Sequence, residues 1–401
     1  MSWKESDRVS QRREFLDLAQ VSGANIALLC RRFGISRKTG YKWINRAQET
    51  VCIEDHSRRP RHSPGRTAEE IENRILEVRE KHPTWGGRKL RRRLQALGLE
   101  NPPSASTITE VLRRHGKLRE TDGAGKNFRR FEHDSPNVLW QMDFKGEFAL
   151  SSKQYCYPLT LLDDHSRFSL CIDACGNQQG QTVRQSLEKT FGRYGMPYAI
   201  YVDNGTPWGN SSGIFGHTRV SIWLMRHDIQ IIHGRPYHPQ GRGKLERFHR
   251  TLKQEVLQDR QFGSLSRAQK CFDTWREVYN HDRPHEGLQD QVPSSRYRVS
   301  DREFRSKLTP YEYSSRFETR RANRAGEIKF HGKAYRLSEV FIDERVGLQP
   351  GETDGVWDIY FCRFVIGQLD ERTGEIRRAS SLAEFRCAPS SQTAGHSNDN
   401  R

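Results

Sequence analysis

The sequence predicts a multidomain chain: all-α helix-turn-helix modules at the N-terminus, a mixed α/β core in the middle and a small all-β domain at the end. Two short segments before residue 118 place apolar residues at helical spacing with basic residues outside. Strand-like runs and helical stretches alternate through residues 136–300, and after Tyr297 short runs alternate apolar with polar residues between Gly and Asp turns. A length of 401 residues suits several such modules better than one core.

Residues 1–50 form the first module. In NIALLCRRFGISRKTGYKWINRAQ (25–48), Ile26, Leu29, Cys30 and Phe33 share one helix face. Gly34 ends that helix because it accepts a positive φ, and Ser36 caps the next. In the second helix Gly40, Trp43, Ile44 and Ala47 fall inward, which leaves Arg37, Lys38, Tyr41, Lys42 and Asn45 outside. A helix, a short turn and a second helix with a basic outer face is the plan that reads the major groove. Arg37, Lys38, Tyr41 and Lys42 are therefore the candidates for base contacts.

A basic linker, 51–67, carries DHSRRPRHSPGRT and separates this module from the next. Residues 68–118 form a second helix-turn-helix domain. Ile71, Ile75 and Val78 open one helix, WGGRKLRRRLQALGL (85–99) supplies another and STITEVLRRHG (106–116) a third. Thr107 and Glu110 have the spacing of a capping box. Ile108, Val111 and Leu112 point inward, with Arg113 and Arg114 outside and facing DNA. A second linker covers 119–135.

The core, 136–300, holds strand-like runs at 138–144, 155–162, 167–173, 198–203 and 229–233. A helix at 182–195 precedes the fourth strand, a helical stretch ending near Arg226 precedes the fifth, and QGRGKLERFHRTLKQEVL (240–257) reads as a closing helix. A connector, 301–322, leads to a small antiparallel barrel or sandwich at 323–380, and residues 381–401 read as a disordered tail.

Composition narrows the partners. The net charge is +17, concentrated toward the N-terminus, which suits a polyanion such as nucleic acid. A hydrophobic share of 34% with 10% aromatics argues against wholesale disorder. The eight Cys include no CxxC pair, so zinc-site spacing is absent and a reduced chain is expected. The opening MSWKESDRVSQRREF has no apolar signal core, and no apolar run is long enough to span a bilayer. The expected location is the bacterial cytoplasm, in association with the nucleoid, without a membrane partner.

Three acids stand out by position. Asp143 lies in the first core strand, Asp203 ends the fourth before Asn204-Gly205, and Glu246 flanks the apolar stripe of the closing helix. Three carboxylates brought together repel one another unless a cation neutralises them, and hard oxygen donors suit Mg²⁺ or Mn²⁺. A pair of such ions would activate an attacking oxygen and stabilise the leaving oxygen of a phosphodiester. No GxxxxGK[ST] loop is present, so nucleotide hydrolysis does not drive the chemistry. Lys244, Arg247, Arg250 and Lys253 on the same helix are candidates to grip substrate DNA. Asp163, Asp164, Arg167, Asn280, Arg283, Pro284 and His285 read mainly as structural, Trp208 and Trp223 as core. His233 and His238 are more often scaffolding than ligands.

WQMDFKG, YVDNGTPW, HPQGRGKLERFHRTLKQE and YNHDRPHEGL with the following Pro293 resemble, in order, the DDE transposases of bacterial insertion sequences, relatives of retroviral integrases. The resemblance covers nearly the whole chain. It implies an RNase H-like core at 136–300 and catalytic, metal-holding roles for Asp143, Asp203 and Glu246. The interval from Asp203 to Glu246 is longer than is usual in that family, with the excess around SSGIFGHTRV (211–220). Glu255 is a second glutamate on the same helix, but no Gly-rich turn precedes it.

The resemblance implies a transposase that binds the ends of a mobile element. Water first releases a 3′-hydroxyl, which then attacks target DNA. Two ends cut together imply at least a dimer. Two other readings remain open: a sequence-specific regulator with an inactive core, and an RNase H-like nuclease that cleaves without joining strands.

Overall fold

A computed structural model describes residues 8–49, 55, 67–118, 132–210, 213–234, 243–258 and 260–378. Most of both expected linkers, His238 and the expected C-terminal tail lie outside these residues. The chain divides into two compact units, 1–67 and 68–401.

In the first unit α1 (Arg8–Ala19), α2 (Ile26–Arg32) and α3 (Arg37–Glu49) pack around Phe15, Leu16, Cys30, Ile35 and Trp43. The local signals explain the boundaries. Asn25 accepts the Leu28 amide at the start of α2, Gly34 takes φ +65° after it, and the Ser36 hydroxyl accepts the Thr39 amide at 3.1 Å to start α3. Gly40 and Trp43 are buried, while Arg37, Lys38, Tyr41, Lys42 and Asn45 are exposed, as the helical period requires. Gly40 permits close packing, since a Cβ there would lie 2.5 Å from Cys30 Sγ and 3.1 Å from the Phe15 ring. Gly40→Val is expected to destabilise this unit by about 1–3 kcal/mol. The check is hydrogen exchange of α2 and α3 in the full chain, and unchanged protection would reject the tight contact.

The second unit begins with α4 (Glu69–Lys81), α5 (Gly87–Ala96) and α6 (Ala105–Arg114) around Ile75, Val78, Trp85, Leu90, Leu94, Ile108, Val111 and Leu112. Here the expected cap is corrected. Ser104, not Thr107, caps α6 by accepting the Thr107 amide at 3.1 Å, and Glu110 pairs instead with Arg113 one turn on. The helix therefore starts earlier than the Thr107–Glu110 spacing suggested.

The core sheet comprises β1 (Leu139–Phe144), β2 (Phe148–Ala149), β3 (Tyr155–Asp163), β4 (Ser169–Cys175), β5 (Ala199–Val202) and β6 (Gln230–His233). Its order is β2-β3-β1-β5-β6, with β4 on the outer edge of β3. The first three long strands are antiparallel, and β1, β5 and β6 are parallel. Five expected strands appear, joined by the short β2. Parallel pairing requires crossovers, supplied by α7 (Gly180–Tyr194) and α8 (Arg219–Arg226).

The period of two decides the two faces. Trp140, Met142, Leu159, Leu161, Ile200 and Val202 meet α7 and α8 on one side. On the other, Leu162 and Ile172 meet α9 (Gly243–Leu252) and α10 (Leu265–Glu277) through Leu245, Phe248, Leu252, Phe272 and Trp275. The expected closing helix is not uniform: α9 passes into a π-helical turn, Lys253–Leu257, and α10 ends in another, Val278–Asp282.

The C-terminal region forms an antiparallel sheet of β7 (Glu318–Arg321), β10 (Arg345–Pro350), β11 (Val356–Phe361), β12 (Phe364–Asp370) and β13 (Ile376–Arg378), plus a hairpin of β8 (Glu327–Phe330) and β9 (Lys333–Arg336). Its first strand lies within the stretch expected as a connector. Its core takes in Phe215, Ile222 and Met225 from the preceding region, and Arg226 bridges Glu344 at 3.2 Å.

Candidate active site

The register of the parallel strands brings two of the three acids side by side. Leu139 pairs with Ala199, Trp140 with Ile200 and Gln141 with Tyr201. Continued by two residues, the same register sets Asp143 beside Asp203 where both strands run out at their carboxyl ends. Ligands of open α/β sheets gather at such ends. Alternation puts both acids on the face away from Trp140, Met142, Ile200 and Val202, which is the face α9 covers. On the other flank of Asp143, the antiparallel register supplies Thr160.

Local bonds fix this row. Thr160 Oγ1 donates to the Asp143 carbonyl at 2.9 Å. The Gly205 amide donates to Asp203 Oδ1 at 3.1 Å, and His233 Nδ1 lies 3.0 Å from the Asp203 carbonyl oxygen. Trp208 stacks on Phe144 at 5.7 Å. His233 therefore braces the backbone of Asp203, the scaffold role expected for it. Trp208 and Trp223 are buried core residues, as expected.

The third acid rides on α9, which is pinned to the sheet at two points. At its start Lys244 Nζ lies 2.5 Å from Asp164 Oδ2, a carboxylate that also accepts from Gln141 Nε2 at 2.8 Å. One turn after Glu246, His249 Nε2 lies 2.7 Å from Thr160 Oγ1. That hydroxyl already donates to Asp143, so His249 is the donor to it. Burial, and next the charge of Lys145, push His249 down to about 3, which keeps it neutral for that bond. Glu246 is exposed on the flank shared by Arg250 and Lys253 and has no hydrogen bond or ion pair to another described residue. Lys145, two residues after Asp143, is lowered by burial and then by Lys253, so cationic side chains gather at the margin of the acids.

Hard carboxylate oxygens at two neighbouring strand ends are the donors a divalent ion of the Mg²⁺ type takes. Among the described residues, no three His, Cys, Asp or Glu side chains stand close enough together to hold an ion. Asp143 and Asp203 fit the group in kind and in register, while Glu246 stands on the covering helix without closing on them.

Glu255 has a different environment. Its Oε1 accepts from Thr84 at 3.0 Å and from Arg283 Nε at 3.1 Å, and its Oε2 from Trp275 Nε1 at 2.8 Å. Both oxygens are engaged inside the fold, which removes it as a rival to Glu246.

The candidate DNA contacts divide. Arg37, Lys38, Tyr41 and Lys42 lie on the exposed face of α3, Arg250 on the exposed flank of α9, and Lys253 is exposed at the start of the π-helical turn that follows it. Arg247 is exposed with a 3.6 Å contact to Glu286. Arg113 is exposed and paired with Glu110. Two residues differ from expectation. Arg114 reaches back 2.8 Å to the buried carboxylate of Glu72, and Lys244 is turned inward to Asp164. In both cases an acid distant in sequence captures the cation.

The residues read as structural are so placed. Asp163 is fully buried, accepting from Asn137, Ser166 N and Ser166 Oγ, with its carboxyl raised by burial against those bonds. Asn280 bonds both backbone groups of Ser169. Sequence reasoning missed Lys145, Thr160 and His249. The first lies in the WQMDFKG run and the last is one turn after Glu246, but nothing local marks their partners.

The chain matches known families along its length. Residues 133–239 and 227–293 each match an integrase core domain, and residues 317–377 match the C-terminal domain of IS481 family transposases. Residues 11–61 match a helix-turn-helix domain and 39–112 a homeodomain-like domain. A protein of insertion element IS476 from Xanthomonas euvesicatoria is 24% identical over 270 residues, covering 66% of this chain and 71% of its own length. A protein of insertion element IS407 from Burkholderia multivorans is 26% identical over 160 residues, covering 40% of this chain and 55% of itself. The HTLV-2 integrase catalytic core domain, solved with magnesium, is 11% identical with a TM-score of 0.31 over 41% of this chain and 99% of that one.

These matches define an integrase-core protein with helix-turn-helix regions ahead of an RNase H-type α/β core. The chain is similar to insertion-sequence transposases, and its C-terminal region matches the C-terminal domain of IS481 family transposases. No helix of the described residues is long and apolar enough to cross a membrane.

Proposed function

We propose that the chain cuts DNA at the ends of a mobile element and joins the released 3′-hydroxyl to target DNA, with Asp143, Asp203 and Glu246 as its catalytic carboxylates. The observation that supports this most is the shared register of Asp143 and Asp203 at the ends of two parallel strands, on the face covered by the helix of Glu246. The three acids would hold two Mg²⁺ or Mn²⁺ ions. When bound, such ions polarise the phosphodiester and lower the pKa of the attacking hydroxyl or water. The residues of the chain position and neutralise. Gly205 N–H orients the Asp203 carboxylate, Thr160 and His249 hold Asp143 and α9 together, and Lys145, Arg250 and Lys253 offset the charge of the incoming phosphates. One phosphodiester is exchanged for another, so no external energy source is needed.

The exposed face of α3, with Arg37, Lys38, Tyr41 and Lys42, would contact bases of the element ends. Arg113 and Arg247 would contact phosphates. Because two ends are processed together, the working species is a dimer or larger.

The test is incubation of the purified chain with end-bearing duplex, Mg²⁺ and a plasmid, scored for joined products. Asp143→Ala and Asp203→Asn are expected to bring joining to background while the duplex is still bound. Cleavage without joined product in the wild-type chain would favour a plain nuclease, and binding without cleavage a regulator.

A further inference from the structure

The second helix-turn-helix module is not tethered loosely to the core but keyed into it, at a point directly continuous with the helix of Glu246. Thr84, in the turn between α4 and α5, donates to Glu255, which sits in the π-helical turn that extends α9. Arg283 and Trp275 hold the same carboxylate from the core side. One face of α5 carries the rest of the contact. Arg93 bridges Asp282 at 2.7 Å, Arg88 approaches Glu286 at 3.0 Å, and Lys89 is half-buried, its ammonium lowered to about 8 by that desolvation and next by the charge of Arg283. Val278 of the core packs against the module's own apolar cluster. None of these pairs uses α6, whose Ser106, Glu110 and Arg113 stay exposed.

We propose that this interface is a ruler: it fixes the distance along the duplex between the segment gripped by α6 and the phosphodiester that is cut. The inference rests on the transposase reading above and adds to it a residue set that chooses the cut position. The physical ground is rigidity. Each base pair advances the duplex by about 3.4 Å, so cutting at one position requires α6 and the acids to be held to better than that. A hub with both carboxylate oxygens engaged, a 2.7 Å ion pair beside it and a shared apolar contact provide such a hold, whereas a flexible linker would let the cut wander.

The experiment uses the full chain, Mg²⁺ and duplexes carrying the terminal sequence of the element that encodes it. Base pairs are added between the inner sequence protected by residues 68–118, located as the part of the footprint lost in Arg113→Ala, and the cut. The ruler requires the cut to move with the footprint by the added length. A cut that stays with the original terminal sequence overturns it. As a second arm, Thr84→Val combined with Arg93→Ala releases the module while leaving α6 and the acids untouched. The expected products spread over several neighbouring positions with binding of the duplex unchanged. A single unshifted position at lower yield also overturns the proposal. If the wild-type chain cuts none of the duplexes with Mg²⁺ or Mn²⁺, the catalytic reading itself fails, which is a different result from either.

Discussion

Glu246→Gln is expected to lower DNA cleavage and strand transfer at least about a hundredfold without shifting the unfolding midpoint, since losing a carboxylate proposed to hold the metal costs more than losing its supporting bonds. The second half of that expectation follows from its surroundings. Glu246 is exposed and bonds to no other described residue, so the fold does not depend on its charge. Glu255→Gln should behave in the opposite way. It would leave Arg283 without its anion where both side chains are only 10% exposed. Breaking such a pair by removing one partner costs about 3 kcal/mol or more. Denaturant unfolding and single-turnover cleavage, run on both variants, separate the two roles. Full cleavage in Glu246→Gln, with loss of cleavage and an unmoved midpoint in Glu255→Gln, would exchange the assignments.

What was legible in the sequence was what nearest neighbours decide. The period of α3 showed its buried Gly40 and Trp43 and its exposed basic face, and Gly34 marked the end of α2. Alternation located all five long core strands and the C-terminal strands that follow β7, but not β7 itself, which lies in the expected connector. The roles proposed for Asp143, Asp203 and Glu246 rest on motif resemblance, because the neighbouring of Asp143 and Asp203 depends on β1 and β5 being adjacent, which no local pattern states. The same limit explains the departures. Lys244 looks like any basic residue on a helix until Asp164, eighty residues earlier, is brought under it. Arg114 is captured by Glu72 through the packing of α4 on α6. Glu255 has a partner 171 residues away in Thr84, and the π-helical turn that aims it interrupts a periodicity that reads as one helix.

Phe215→Ala is expected to destabilise the second unit by about 3–5 kcal/mol, the usual range for emptying a packed aromatic site. The residue belongs to the extra length between Asp203 and Glu246, around SSGIFGHTRV (211–220), for which the sequence shows no packing partner. Instead, Phe215 is 1% exposed, lies edge-on to Phe341 at 5.9 Å and joins the apolar core of the C-terminal β region. Gly367 on β12 makes room for it, since a Cβ there would lie 2.3 Å from Phe215 Cε1 and 2.5 Å from the Arg377 carbonyl. Gly367→Ala should therefore also destabilise, through the ring and the carbonyl together. Removing the ring relieves only the first clash, so the double variant should lose less than the sum of the two singles but should not recover wild-type stability. Denaturant midpoints for the four proteins of this cycle decide the matter, and strictly additive losses would reject direct contact. If the coupling is found, the excess residues after Asp203 are a peg that seats the C-terminal region on the catalytic core. Loosening that peg should then also lower cleavage, because the peg and Asp203 lie on one short stretch of chain.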